Sequence, residues 1–163
     1  MGIENDIHQA NFRNDYQKAV INLIYTFNWL RDKTQLKLGC HDLTMQQYNI
    51  LRILRGAGTP LSTLQIRERM LDKMSDTSRI VDRLIVKELV KKNTCERDKR
   101  LVDVSITDKG LELLKCLDST SDEMDRIMGN LTEDEAKQLN TLLDKVRDNE
   151  LMETTSACMK EEQ

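Results

Sequence analysis

Two clusters of side chains in this 163-residue chain have types and spacings suited to gripping a polyanion. The first is Ser75, Thr77, Ser78 and Arg79, with Arg83 one helical turn further on. Small hydroxyls let a backbone approach phosphates and bases closely. Arg79 can hold a guanine edge or a phosphate with two parallel N–H donors. Arg83 is better spaced for the phosphate backbone. The second cluster is Arg97, Lys99 and Arg100, with Asp98 among them. A guanidinium there could enter a minor groove, where narrow A·T-rich stretches deepen the negative potential. Asp98 is short and acidic, and suits orienting an arginine by a charge-assisted hydrogen bond. Each residue alone reads as a solvated surface charge; the arrangement carries the signal.

The elements that must position these clusters follow from periodicity and capping. Residues 72–92 read as a helix with Ile80, Val81, Leu84 and Ile85 facing inward and Ser75, Ser78, Arg79, Asp82 and Arg83 facing outward. Capping boxes Thr44/Gln47, Ser62/Gln65 and Thr132/Glu135 mark three further helix starts, each preceded by a leucine. Gly56 to Pro60 separates the first two of these helices. Residues 93–96 and 101–106 read as a β-hairpin, because Val102, Val104 and Ile106 alternate with more polar neighbours, and the second cluster falls at its tip. Thr107 caps a helix bearing Leu111, Leu114 and Leu117 and continuing through Met124 and Ile127. Residues 5–37 form a long amphipathic helix ending near Gly39, with Phe12, Tyr16, Val20, Leu23, Phe27 and Leu30 along one face. Such a stripe serves as core, or calls for a partner helix from this or a second chain. The order of helix, short helix, helix and charged hairpin is that of a winged helix-turn-helix, a mainly α fold with a small β-hairpin wing.

Charge and cysteine content narrow the classes. The net charge is −3, yet residues 60–100 hold 11 Lys/Arg against 7 Asp/Glu, while the remainder holds 14 against 21. One basic segment in an acidic chain suggests a face for phosphate and another for something else. Cys40, Cys95, Cys116 and Cys158 are scattered without a CxxC pair, and His8 and His41 are the only histidines, so no zinc site and no cofactor are expected. Reduced thiols are the plain reading, with Cys40 the best placed for redox sensing. The longest dense apolar run, Val20 to Tyr25, is too short to span a bilayer, and no signal sequence opens the chain, so the cytoplasm is the expected compartment. No Gly-rich phosphate loop, paired-carboxylate cleft or nucleophile–base pair points to an enzyme.

Ser78-Arg79-Ile80-Val81-Asp82-Arg83-Leu84, Asp98-Lys99-Arg100 and Val104-Ser105-Ile106-Thr107-Asp108-Lys109-Gly110 fall in order and at fixed distances. On these motifs residues 10–148 resemble the MarR family of bacterial transcription regulators. The resemblance implies an obligate homodimer with interlocked N- and C-terminal helices, a palindromic operator, repression, and release by a small phenolic or other lipophilic effector. It divides the chain into a helical dimerisation region (1–40 and 111–150) and a DNA-binding domain (41–110); the polar tail 151–163 lacks periodicity and is expected to be disordered. The family's effector pocket lies where the dimerising helices meet the DNA-binding lobe. Here Tyr25, Trp29, His41 and Met45 are its candidate lining, though aromatic and Met side chains at helical spacing serve more often as core. Three residues depart from the family pattern: Arg67 replaces a small Ala, and Leu71 and Glu88 each replace a Gly. A non-glycine at positive φ costs roughly 1 kcal/mol.

The expected function is therefore a homodimeric, sequence-specific DNA-binding regulator that represses from a pseudo-palindromic operator. Two recognition helices would enter successive major grooves about 34 Å apart. The alternative is a winged-helix module for protein–protein interaction without DNA binding, since fold does not fix function.

Overall fold

A computed structural model of the chain describes residues 2–94, 102–119 and 126–148. Arg97, Asp98, Lys99 and Arg100, the tail 151–163, Cys95 and Cys158 lie outside the described residues. Two units make up the chain, residues 1–121 and 122–163.

The first unit begins with a four-residue helix α1 (Ile3–Asp6), whose Glu4 pairs with Lys18. The long helix α2 (Asp15–Gly39) starts ten residues later than periodicity predicts. Asn14 sets its start, taking an extended conformation and accepting the Gln17 N–H at 2.9 Å. Such a cap satisfies a donor that the helix leaves open, so the apolar residues upstream add nothing to its length. Helix α3 (Met45–Ala57) and helix α4 (Thr63–Arg69) open on the expected capping boxes at Thr44 and Ser62, each with both reciprocal bonds formed. Gly58 closes α3 at φ 65°, the left-handed conformation glycine adopts without strain.

The recognition helix α5 (Thr77–Val86) is half the length that periodicity predicts. At its front, Asp72 Oδ1 accepts the Met74 N–H at 3.0 Å and the Asp72 carbonyl accepts the Ser75 hydroxyl at 2.8 Å, so residues 72–75 turn before the helix begins. Asp76 then caps it by accepting the Arg79 N–H at 3.2 Å. At its back, Glu88 sits at φ 61°, the left-handed position its glycine-replacing place in the motif predicts. The Leu89 N–H returns to the Leu84 carbonyl at 3.0 Å, closing the helix.

A three-stranded antiparallel sheet follows, in the order β1 (Leu61–Ser62), β3 (Val102–Ile106), β2 (Val90–Thr94). Leu61 pairs with Val104, and β2 runs beside β3 from Val90↔Ile106 to Thr94↔Val102. Strand β2 begins three residues before the predicted one because Leu89 and Val90 are buried and carry the chain straight from α5 into the sheet. Helix α6 (Asp108–Asp118) starts at its Thr107 cap, which accepts the Gly110 N–H at 3.1 Å. Its expected continuation through Met124 falls outside the described residues.

One core holds the first unit together. Ile50, Leu51 and Leu54 of α3 meet Ile66 and Met70 at α4, Val81 and Leu84 of α5, Val104 of β3, and Leu114 and Leu117 of α6. Each large side chain buried this way contributes about 1.5–3 kcal/mol. Arg55 on α3 and Asp118 on α6 are paired at the surface of this core. Arg67 is exposed and so does not intrude between α4 and α5, and Leu71 is exposed with its N–H bonded to Asn49 Oδ1 at 3.0 Å. Leu71 has no positive φ, so neither departure strains the motif.

In the second unit, helix α7 (Glu133–Arg147) opens on its predicted Thr132/Glu135 capping box and buries none of its residues. No described helix is long and apolar enough to cross a membrane, and no described group of His, Cys, Asp and Glu is placed to hold a metal.

Candidate nucleic-acid interface

The interface is built on α5. Thr77, Val81 and Leu84 are buried, which fixes the rotation of the helix and turns Ser78, Arg79, Asp82, Arg83 and Val86 outward at helical spacing. Arg79 has 81% of its side chain exposed, with Nε 3.5 Å from Asp76 Oδ2. An exposed pair of this kind is worth well under 1 kcal/mol. Its consequence is geometric: the guanidinium is kept over the first turn of the helix. Ser75, Arg79 and Arg83 border one open groove of about 260 Å³, together with Thr44 and Gln46 from the start of α3.

Thr77 departs from expectation. It is 4% exposed, and its Oγ1 has no hydrogen-bond partner among the described residues. Its place in the first turn, on the side of Val81, points it into the core, so Thr77 is not part of the outward face. Ser75 is half-buried and precedes the helix, its hydroxyl donated to Asp72.

Sequence reasoning missed Lys92. Its ammonium lies 2.8 Å from Asp82 Oδ1, linking β2 to the exposed side of α5. The pair offsets a carboxylate that sits beside Arg79 and Arg83, where it would repel phosphate. No periodic signal joins two residues ten positions apart across a turn. Sequence reasoning also missed the Asp76 cap by running the helix through it; the signal that could have found it is an aspartate three residues before Arg79.

The four candidate pocket residues are not brought together. Tyr25 and Trp29 are exposed on α2, at 39% and 43%, and His41 is exposed beyond its end. Met45 does line a cleft of about 290 Å³ between α2 and α3, but with Phe27, Gln35, Asn49, Met70 and Leu71. Gln35 anchors that corner, donating to the Leu43 carbonyl at 3.0 Å and accepting the Met45 N–H at 3.3 Å. Cys40 and Cys116 are exposed free thiols.

A core shared by α3, α4, α5 and α6, with an antiparallel sheet and an outward cationic helix face, defines a winged helix-turn-helix module. The MarR family model matches residues 41–101. The chain is 34% identical over 131 residues to an uncharacterized HTH-type transcriptional regulator, YwaE of Bacillus subtilis, covering 78% of this chain and 75% of the relative. Among solved structures, a MarR transcription factor from Planctomyces limnophilus is 32% identical with a TM-score of 0.64, over 82% of this chain and 98% of that one. A mutant of E. coli MarR complexed with operator DNA is 26% identical with a TM-score of 0.67, over 77% and 91%. This chain belongs to the MarR family, whose members are transcription regulators and not enzymes.

Proposed function

We propose that this regulator is a homodimeric repressor of a pseudo-palindromic operator, acting in the cytoplasm. The observation that carries the reading is the outward face of α5, where Ser78, Arg79 and Arg83 are exposed on a helix whose other side is locked into the core. Arg79 and Ser78 read base edges in the major groove, and Arg83 contacts phosphate; Ser75, its hydroxyl donated to the Asp72 carbonyl, shapes the turn that leads into α5. Arg97, Lys99 and Arg100, with Asp98 orienting them, contact the flanking backbone and minor groove. Residues 41–110 form the DNA-binding domain, and residues 1–40 and 111–150 the dimerising region.

Dimerisation is supported by α2. Tyr16, Val20, Ile24 and Phe27 are each more than half exposed on this 25-residue helix. An apolar stripe of that extent in water favours a covering helix from a second copy. The cleft lined by Phe27, Met45, Met70 and Leu71 suits a small lipophilic or phenolic effector, because it is mainly apolar and joins α2 to the DNA-binding lobe. An effector there would favour a lobe spacing that no longer fits one helical turn.

The test is a fluorescence-anisotropy titration of the full chain on DNA flanking its own gene, between 50 and about 200 mM salt. Specific binding that weakens steeply with salt is expected. Salt-insensitive binding, or equal affinity for an unrelated duplex, would sink the reading.

A further inference from the structure

The recognition helix is tied, at its C-terminal end, to the corner where α2 passes into α3. Lys87 is the C-cap residue of α5. Its ammonium donates to the Asp42 carbonyl, lies 2.9 Å from Asp42 Oδ2, and reaches Gln47 Oε1 at 3.5 Å. Both acceptors are held from behind. Asp42 sits in the turn after α2 at φ 53°, and its N–H bonds back to the Gly39 carbonyl at 3.0 Å. Gln47 is 4% exposed, and its Oε1 also accepts the Thr44 N–H at 3.1 Å in the capping box of α3. The Lys87 side chain is 28% exposed, against 81% for Arg79. An ammonium has three donors; here it meets the Asp42 carbonyl and Gln47 Oε1 on its protein side, while the Asp42 carboxylate it pairs with is 94% exposed. That is the environment of a structural tie, whereas a phosphate-gripping lysine keeps its head in water.

We infer that Lys87 is a positioning residue for DNA binding: its tie to Asp42 and Gln47 fixes the tilt of α5 against the α2–α3 corner. The inference rests on the operator-binding reading above. In a dimer joined through α2, the tilt of each α5 sets the distance between the two recognition helices. Lys87 therefore tunes half-site spacing without touching DNA. Releasing the tie lets each helix sample several tilts, so the operator loses affinity and the protein loses its preference for one spacing.

The sign of one substitution separates this role from general electrostatics. Asp42→Asn removes a negative charge from the DNA-binding lobe and keeps a residue type that tolerates the left-handed conformation. Long-range electrostatics alone predict tighter DNA binding; a tie weakened by loss of the carboxylate contact, with the bond to the Asp42 carbonyl kept, predicts weaker binding. The full-length wild type, K87M, K87R, D42N and the double variant D42N/K87M are titrated on DNA flanking the protein's own gene. Companion duplexes carry one base pair inserted or deleted between the half-sites. K87M is expected to weaken binding about tenfold, comparable to one mismatched base pair. D42N shifts the same way by less, the double variant is no weaker than K87M, and K87R restores most of the affinity. Discrimination between the three spacings flattens in K87M, while the slope of log K against log salt stays that of the wild type. A slope reduced by about one per lysine would make Lys87 a phosphate contact and overturn the inference. Tighter binding by D42N, or full additivity of the two changes, would overturn it too. If K87M fails to dimerise, D42N with its spacing profile decides. Absence of specific binding by the wild type removes the operator-binding reading itself, whereas wild-type binding with an unaffected K87M removes only this inference.

Discussion

One hydroxyl joins the end of the recognition helix to the start of α6: Thr107 Oγ1 donates to the Glu88 carbonyl at 2.8 Å and accepts the Gly110 N–H at 3.1 Å. The Thr107 N–H donates to the Leu89 carbonyl at 3.1 Å, and Lys109 Nζ lies 2.8 Å from Glu88 Oε2. The exit from α5 and the exit from the sheet are thereby one hydrogen-bonded knot. It holds Glu88 at positive φ although the residue has a Cβ.

The strain at Glu88 can be measured separately from its ion pair. Glu88→Ala keeps the Cβ and loses the carboxylate, and Glu88→Gly loses both. The glycine variant should melt about 2–4 °C above the alanine variant, as relief of a left-handed non-glycine residue implies. Equal melting temperatures by calorimetry would mean the position carries no strain.

Acid should erase the contribution of the Glu88–Lys109 pair. The hydrogen bond from Lys109, and then its charge, hold the Glu88 carboxyl below its ordinary value of 4.5. A depressed carboxylate stabilises the fold above its unfolded pKa and loses that effect as pH falls through the folded one. The gap in melting temperature between wild type and Glu88→Gln should be present at pH 7 and close on acidification below the ordinary glutamate range. A gap independent of pH would show that the ion pair contributes nothing.

Gly110 is required by space. A Cβ there would overlap the Leu89 carbonyl oxygen and lie 2.8 Å from Ile106 Cγ1, in the middle of the same knot. Gly110→Ala should destabilise by about 1–3 kcal/mol despite the better helix propensity of alanine, a cost typical of overpacking. Urea melts of the two proteins read this directly, and a stabilised variant would contradict the packing described.

Arg79 and Arg83 should fail in different ways. Arg79→Ala is expected to cost about 1–3 kcal/mol of operator affinity and relax preference at one base position. Arg83→Ala should weaken all duplexes alike and lower the salt slope by about one for each phosphate it no longer neutralises. Interchanged behaviour in anisotropy titrations would reverse the two roles.

The apolar side of α2 should carry self-association. Val20 and Ile24 are 56% and 57% exposed, one turn apart. Val20→Glu with Ile24→Glu should convert a dimer to a folded monomer in sedimentation velocity, with DNA affinity lost alongside. A wild-type monomer at micromolar concentration would place the stripe in another role.

By itself, the sequence determined the capped helix starts at Thr44, Ser62, Thr107 and Thr132, because a cap is a bond between residues three apart. It determined the inward stripe of α5 and most of its outward one, since both follow from helical period. It also placed Glu88 at the left-handed end of that helix, through the motif in which it replaces a glycine. What it could not set was where apolar periodicity stops being helix. Turn bonds made by Asp72 and the Asp76 cap cut α5 short at its front, the left-handed Glu88 cut it short at its back, and the cap at Asn14 delayed α2, although the helical reading runs through each of these ends. Tertiary packing alone decided that Thr77 faces the core and that Tyr25, Trp29 and His41 do not share the cleft with Met45. It alone joined Lys92 to Asp82 and Lys87 to Asp42. These are long-range pairings: their partners lie 10 and 45 positions apart, and only the folded path of the chain brings such residues within reach of a hydrogen bond.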